Sequence, residues 1–194
     1  MTIGVFGGTF DPPHAAHLII AEYVRGELGL DHVLFVPAAV PPHKTQGMIT
    51  PGHHRLEMVR LAIRGNTAFE VSDMELRRGG ISYTVDTLDE LARKRPGDTL
   101  FLLIGEDNLV EFGTWKEPER ILKLAQVIAM TRPGFAVEPT LSFHDAIKIC
   151  EVPQLGIASR DIRERLRAMR TVRYLVPDPV VHYIRMNKLY GAGV

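Results

Sequence analysis

The sequence is short of most features that mark a secreted, membrane-bound or polyanion-binding protein. Its single cysteine, Cys150, excludes an internal disulfide. It lies in the apolar segment AIKICEV, where a thiol without a His or Asn neighbour reads as buried and inert. There is no excess of either charge: 23 Lys and Arg balance 23 Asp and Glu. No global field therefore draws the chain to nucleic acid or to an acidic membrane, and an anionic ligand must be held by local positive charge. No run of about 18 apolar residues is long enough to span a membrane, and the N-terminus lacks the basic region of a secretory signal. These absences lead to the expectation of a soluble, cytoplasmic protein.

What remains is the composition of a globular protein. In 194 residues, 45% are hydrophobic and 24% charged, which suits one sizeable core and a single domain over 1–194. Apolar, β-branched runs occur at 2–6, 32–37, 68–72, 99–105, 126–131 and 147–152, and they read as buried strands of a parallel sheet. Helical patterns lie between them, as in Leu18, Ala21, Val24 and Leu28, or Val85, Leu88, Leu91 and Ala92. Strand and helix alternate, which predicts an α/β fold with a Rossmann-like, doubly wound parallel sheet. The last third predicts two helices, over about 160–169 and 178–188, as a helical C-terminal region, with Asp178 and Pro179 at the start of the second.

In such a fold the first strand-to-helix turn is the usual phosphate site. Here that turn is GGTFDPPH, followed by AAH. Gly7 and Gly8 allow close backbone approach, Pro12 and Pro13 stiffen the loop, and the helix that follows offers unpaired N–H groups to an anion. The fingerprints GxGxxG and GxxxxGK[ST] are both missing. His14 and His17, three apart, share one helical face at its N-terminus, where each can donate to a phosphate oxygen. A metal site is the weaker reading, because the sequence has no HExxH and no cysteine ligands to complete it. Histidines with no task are the common fate of a random HxxH; the Gly-rich first turn favours phosphate.

GGTFDPPHAAH resembles the first signature of the nucleotidylyltransferases, [HT]xGH, and in particular the GGTFDPxH of bacterial nicotinate mononucleotide adenylyltransferases. Similar stretches follow in order: VPAAVPPHK (36–44), SYTVDTL (82–88), IGEDN (104–108), TW (114–115), RPG (132–134) and IASRDIRERL (157–166), the last resembling ISSTxIR. This ordered series spans nearly the whole chain.

The resemblance implies transfer of AMP from ATP to nicotinate mononucleotide, with Mg²⁺ carried on the triphosphate and no metal ligands from the protein. It implies His14 and His17 as catalytic phosphate contacts, and ATP binding by Gly7, Gly8, Thr9, Phe10, Gly105, Asp107, Ser159, Ile162 and Arg163. For the acceptor it implies Lys44, Tyr83, Thr84, Trp115 and Arg132. From the residues alone several of these stay open. Trp115 could equally be a core tryptophan, Lys44 and Arg132 solvated surface charges, Asp107 a helix cap, and Arg163 a solvent-facing residue of an ordinary amphipathic helix. Ser159 is expected to cap the helix it precedes, and Asp161 to face away from phosphate.

Three positions depart from the family pattern. Ala16 stands where the first signature has Gly, adding a methyl where the nucleotide approaches the backbone; Ala158 and Arg160 replace Ser and Thr in the late one. Two rivals follow: a nucleotidylyltransferase for another acceptor, such as phosphopantetheine or nicotinamide mononucleotide, and a nucleotide-binding module without catalysis. SYTVDTL and Trp115 disfavour phosphopantetheine, and retention of His14, His17 and Arg163 disfavours a module without catalysis. ATP and nicotinate mononucleotide are the expected partners, with homo-oligomerisation left open.

Overall fold

A computed structural model describes residues 1–41, 49–134 and 143–191. In chain order the strands are β1 (Thr2–Gly8), β2 (His32–Pro37), β3 (Phe69–Val71), β4 (Thr99–Gly105), β5 (Gln126–Thr131) and β6 (Lys148–Glu151). The helices are α1 (Ala15–Leu28), α2 (Gly52–Ala62), α3 (Met74–Arg78), α4 (Thr84–Lys94), α5 (Glu106–Glu111), α6 (Pro118–Leu124), α7 (Ser159–Arg167) and α8 (Asp178–Met186). All six expected strands are present, and the strand-helix alternation gives the expected α/β architecture.

Among the described residues the strands form one parallel sheet in the order β3-β2-β1-β4-β5-β6. The chain winds outward from β1 through β2 to β3, then crosses back to place β4 on the other side of β1. The order therefore reverses between β1 and β4, and the crevice beyond their carboxyl ends is where doubly wound sheets bind ligands.

Period-two alternation feeds the two faces. Ile3, Val5, Leu34 and Val36 pack with Val85, Leu88 and Leu91 of α4 and Ile121 of α6. Val33, Phe35 and Leu103 turn the other way, onto Ala21 and Val24 of α1 and Val59 of α2. Gly4 leaves room for the loop after α1 and for β4, since a Cβ there would meet Leu30 at 2.9 Å and Leu103 at 3.1 Å. The C-terminal helices add a third cluster, in which Ile162, Leu166, Val180 and Ile184 close over Met58 of α2. This carries α7 back to the first turn, far from it in sequence. Cys150 is buried in β6, where burial pushes its thiol pKa up, as expected of an inert group.

Candidate active site

The turn after β1 ends at His14, whose backbone is extended (φ −144°, ψ 171°) and caps α1. His14 sits at the N-cap and His17 at the third helical position, so the rings stack with centroids 3.7 Å apart. The backbone N–H of His14 donates to Nδ1 of His17 at 3.2 Å. An acceptor nitrogen carries no proton, so in neutral His17 the proton is on Nε2. Phe10 locks the ring from beside it, edge-on at 5.1 Å.

Burial pulls the pKa of His14 down to about 4. Burial, helped by the neighbouring His14, pulls that of His17 down to about 3. Both imidazoles are therefore neutral near pH 7 and poor bases, which makes them hydrogen-bond donors to charge. Nδ1 of His14 is buried and has no partner among the described residues.

The rest of the turn is a strapped loop. Phe10 holds a positive φ of 49° and only 2% exposure, with its ring in the core; a Cβ on Gly8 would meet that ring at 2.8 Å, whereas one on Gly7 would meet nothing within 4 Å. Gly8 thus makes room for Phe10, whereas nothing crowds Gly7. Phe10 itself offers a ligand only its backbone. The Asp11 carbonyl accepts from Arg163 Nη1 at 2.7 Å and the Pro12 carbonyl from Ser159 Oγ at 2.9 Å.

This corrects the reading of Ser159 as a cap. Ala158 is the N-cap residue, with no side-chain cap bond, and α7 begins at Ser159, whose hydroxyl reaches across to the loop instead. Arg163 is likewise engaged by the loop, not turned out to solvent. Asp161 is exposed and lies 3.5 Å from Arg160. Ile162 is 1% exposed and belongs to the core under α7, so its side chain presents no surface to a nucleotide.

Gly105 and Asp107 lie at the end of β4, across the switch point. Gly105 is the N-cap of α5 without a side-chain cap bond, so Asp107 is not the helix cap; it stands exposed in the first turn. Arg132, after β5, pairs with Glu106 through two bonds of 2.6 and 3.2 Å. Its guanidinium is tied to the β4 turn by that carboxylate.

Tyr83, Thr84 and Trp115, three of the five acceptor candidates, lie at or beside the start of α4. Tyr83 is its N-cap, extended at φ −93° and ψ 131°, and Thr84 opens the helix. Trp115 is half-buried, 5.4 Å from Phe112, while the adjacent Lys116 places its ammonium 4.7 Å over the Tyr83 ring and bonds Asp86 at 3.0 Å. The 115–116 turn is thereby pinned beside the helix start. Trp115 packs on the core and is only partly buried. Lys44 lies outside the described residues.

Four buried polar groups were not legible as site residues. Asp11 is 4% exposed and accepts from Tyr190 Oη at 2.6 Å and from the Thr50 N–H at 3.3 Å. Arg55 is 1% exposed and bonds the Thr9, Ala39 and Thr50 carbonyls. Glu75 and Ser82 are also buried: Glu75 of α3 accepts from Thr87 Oγ1 of α4 at 2.6 Å, and Ser82 directly precedes the N-cap of α4. For Arg55 a signal exists: it precedes Met58 and Val59 by three and four positions, a charge on the apolar stripe of a helix.

Comparison with known proteins agrees with this geometry. Residues 5–165 match the cytidylyltransferase-like family model. The chain is 45% identical to "Probable nicotinate-nucleotide adenylyltransferase" of Geobacter metallireducens, covering 98% of both chains. It is 41% identical to the nicotinate-nucleotide adenylyltransferase of Bacillus subtilis, over 97% of each. Its fold matches a Plasmodium falciparum nicotinic acid mononucleotide adenylyltransferase complexed with NaAD, with a TM-score of 0.81 at 20% identity, over 99% of this chain and 98% of that one.

Proposed function

The chain belongs to the cytidylyltransferase-like family, as a nicotinate-nucleotide adenylyltransferase, and we propose that its reaction runs at the two-histidine turn. That reaction transfers the AMP portion of ATP to nicotinate mononucleotide in NAD biosynthesis, giving nicotinate adenine dinucleotide and pyrophosphate. The observation that carries the placement is the His14 N–H to His17 Nδ1 bond. It leaves a neutral Nε2–H donor at the head of α1, beside the switch point, where an α-phosphate is to be held.

The attacking group is a phosphate monoester with a second pKa of ~6, already ionised at neutral pH, so no general base is needed. Its oxygen forms the bond to the α-phosphorus as the bond to the pyrophosphate oxygen breaks. Catalysis is positioning and stabilisation of charge at the α-phosphate. His17, with His14 beside it, donates to the α-phosphate oxygens; depressed basicity keeps both from competing for protons. Gly7, Thr9 and Phe10 offer backbone to the nucleotide, Gly105 and Asp107 the ribose side, and Arg163 and Ser159 act by holding the carbonyls of the turn.

Mg²⁺ is proposed to ride on the triphosphate, whose oxygens suit a hard cation; among the described residues no group of three His, Cys, Asp or Glu is placed to hold a metal. It would neutralise charge on the leaving pyrophosphate. The nicotinate carboxylate is proposed to sit at the Tyr83–Thr84 helix start, where oriented N–H groups favour an anion over a carboxamide, with Trp115 against the pyridine ring. Among the described residues no helix is long and apolar enough to cross a membrane, and a cytoplasmic location is proposed for this metabolic role. Pyrophosphate release from ATP and Mg²⁺ with nicotinate or nicotinamide mononucleotide tests the reading: turnover favouring the acid supports it, and no turnover with either defeats it.

A further inference from the structure

Arg55 is the least expected group in this fold: a guanidinium of 1% exposure inside α2, pointing its planar fork at three separate pieces of chain. Nε donates to the Thr50 carbonyl at 2.8 Å, Nη1 to the Thr9 carbonyl at 2.9 Å and Nη2 to the Ala39 carbonyl at 3.2 Å. Thr9 belongs to the nucleotide turn. The N–H of the same residue, Ala39, donates to Ser82 Oγ at 2.8 Å, one residue before the N-cap of α4. Ser82 in turn donates to Glu75, which also accepts from Thr87 Oγ1 at 2.6 Å, and Arg78 donates to that threonine at 2.8 Å. The Ser82 N–H donates to the Val40 carbonyl at 2.9 Å, closing a second tie between the same two segments. The chain of contacts is continuous from Thr9 to the second turn of α4.

Burying a lone cation is expensive unless it is paired and its donors are used. The carboxylates facing Arg55 are Asp11 and Glu75, themselves 4% and 7% exposed. Asp11 lies on the nucleotide turn and Glu75 behind the acceptor helix, so the charge is balanced from both sites at once. A lysine could not replace it, since one ammonium cannot meet three divergent carbonyls in a plane.

We propose that Arg55 is a positioning residue for adenylyl transfer, setting the spacing between the nucleotide turn and the acceptor helix through Thr9 on one side and the Ala39–Ser82–Glu75 relay on the other. In-line displacement needs the attacking oxygen held close to the phosphorus along one axis, and the two substrates are assigned to separate elements that this buried network joins, alongside the Ala38 N–H to Gly8 carbonyl bond of 2.9 Å. The inference rests on the reaction proposed above for its two substrates.

The test uses Arg55→Lys, which keeps the charge, and Ser82→Ala, which cuts the relay on the acceptor side only; Arg55→Ala would strand two buried carboxylates and unfold the chain. Pyrophosphate release is followed with ATP, Mg²⁺ and nicotinate mononucleotide. Arg55→Lys is expected to lower kcat about tenfold or more and to raise KM for both substrates, as loss of alignment does. Ser82→Ala is expected to raise KM for the mononucleotide several-fold and leave KM for ATP unchanged. In the double variant the losses in kcat/KM are expected to fall short of the product of the single ones, since both break one chain. A purely structural arginine would lower Tm and the active fraction with both KM values unchanged, and independent sites would give losses that multiply; either result overturns the proposal. Wild-type turnover checks the reaction itself. If it is absent, calorimetric titration with ATP still decides: weaker binding in Arg55→Lys and unchanged binding in Ser82→Ala support the positioning role, and equal binding in all three proteins overturns it.

Discussion

The His14 amide N–H and the His17 Nδ1 atom are 3.2 Å apart, and this one bond decides which nitrogen of the second imidazole faces out as a donor. His17→Ala deletes that donor while α1 remains anchored by Ala21 and Val24. Loss of an oriented donor to transition-state charge costs roughly 10²-fold or more in kcat. Pyrophosphate release should fall by that amount with Tm nearly unchanged, and near-normal turnover would remove His17 from the mechanism.

The same burial predicts a pH response of the fold. His14 titrates at about 4 and His17 at about 3 when folded, against about 6.5 when unfolded. Below about 6.5 the unfolded chain therefore binds more protons than the folded one, and stability falls as pH drops through that window toward the folded values. Thermal melts of the unliganded protein from pH 7.5 to pH 4.5 should show Tm declining below about pH 6.5. The decline should be shallower in a His14→Gln, His17→Gln double variant; identical slopes would show that the two rings do not titrate as described.

Ala16 is only 4% exposed, so its methyl is enclosed by protein. Restoring glycine should not tighten ATP binding. It should cost stability, about 1 kcal/mol from helix propensity, together with the loss of a buried methyl. Calorimetry with ATP and a denaturant melt of Ala16→Gly check both halves; a clear gain in affinity would show that the methyl crowds the nucleotide after all.

Tyr190 reaches back from the end of the helical region to donate a hydrogen bond from Oη to Asp11 Oδ1 at 2.6 Å. Tyr190→Phe leaves a buried carboxylate short of a donor, a loss of about 1.5–3 kcal/mol for a hydrogen bond to a charged group. Chemical denaturation should report that loss, and KM for ATP should rise because Asp11 belongs to the nucleotide turn. A variant as stable as wild type would mean that water replaces the phenol.

At the acceptor end, Thr84 opens α4 behind Tyr83. Thr84→Val should lower kcat/KM for nicotinate mononucleotide more than for the amide, narrowing their ratio, because a hydroxyl donor favours the carboxylate. Equal losses would place the carboxylate elsewhere and leave adenylyl transfer itself intact.

The sequence by itself determined the sheet, the first turn and the family, because these depend on local pattern. β-branched runs bury on both faces, as at 99–105 and 126–131, and a Gly-rich stretch ending in HxxH must fall where β1 meets α1. The fate of single polar side chains was settled by tertiary structure alone. Ser159 reads as a cap from its neighbours, yet α7 packs against the first turn and the hydroxyl finds the Pro12 carbonyl, 147 residues away in sequence. Arg55 stands out on the stripe of Met58 and Val59, yet only packing brings it to the Thr9, Ala39 and Thr50 carbonyls that bury it. The physical reason is the same in each case: a hydrophobic period is repeated along the chain and can be read from it, whereas a hydrogen bond is one contact at one distance. Its partner is chosen only when packing brings distant segments together and withdraws the water that would otherwise have taken its place.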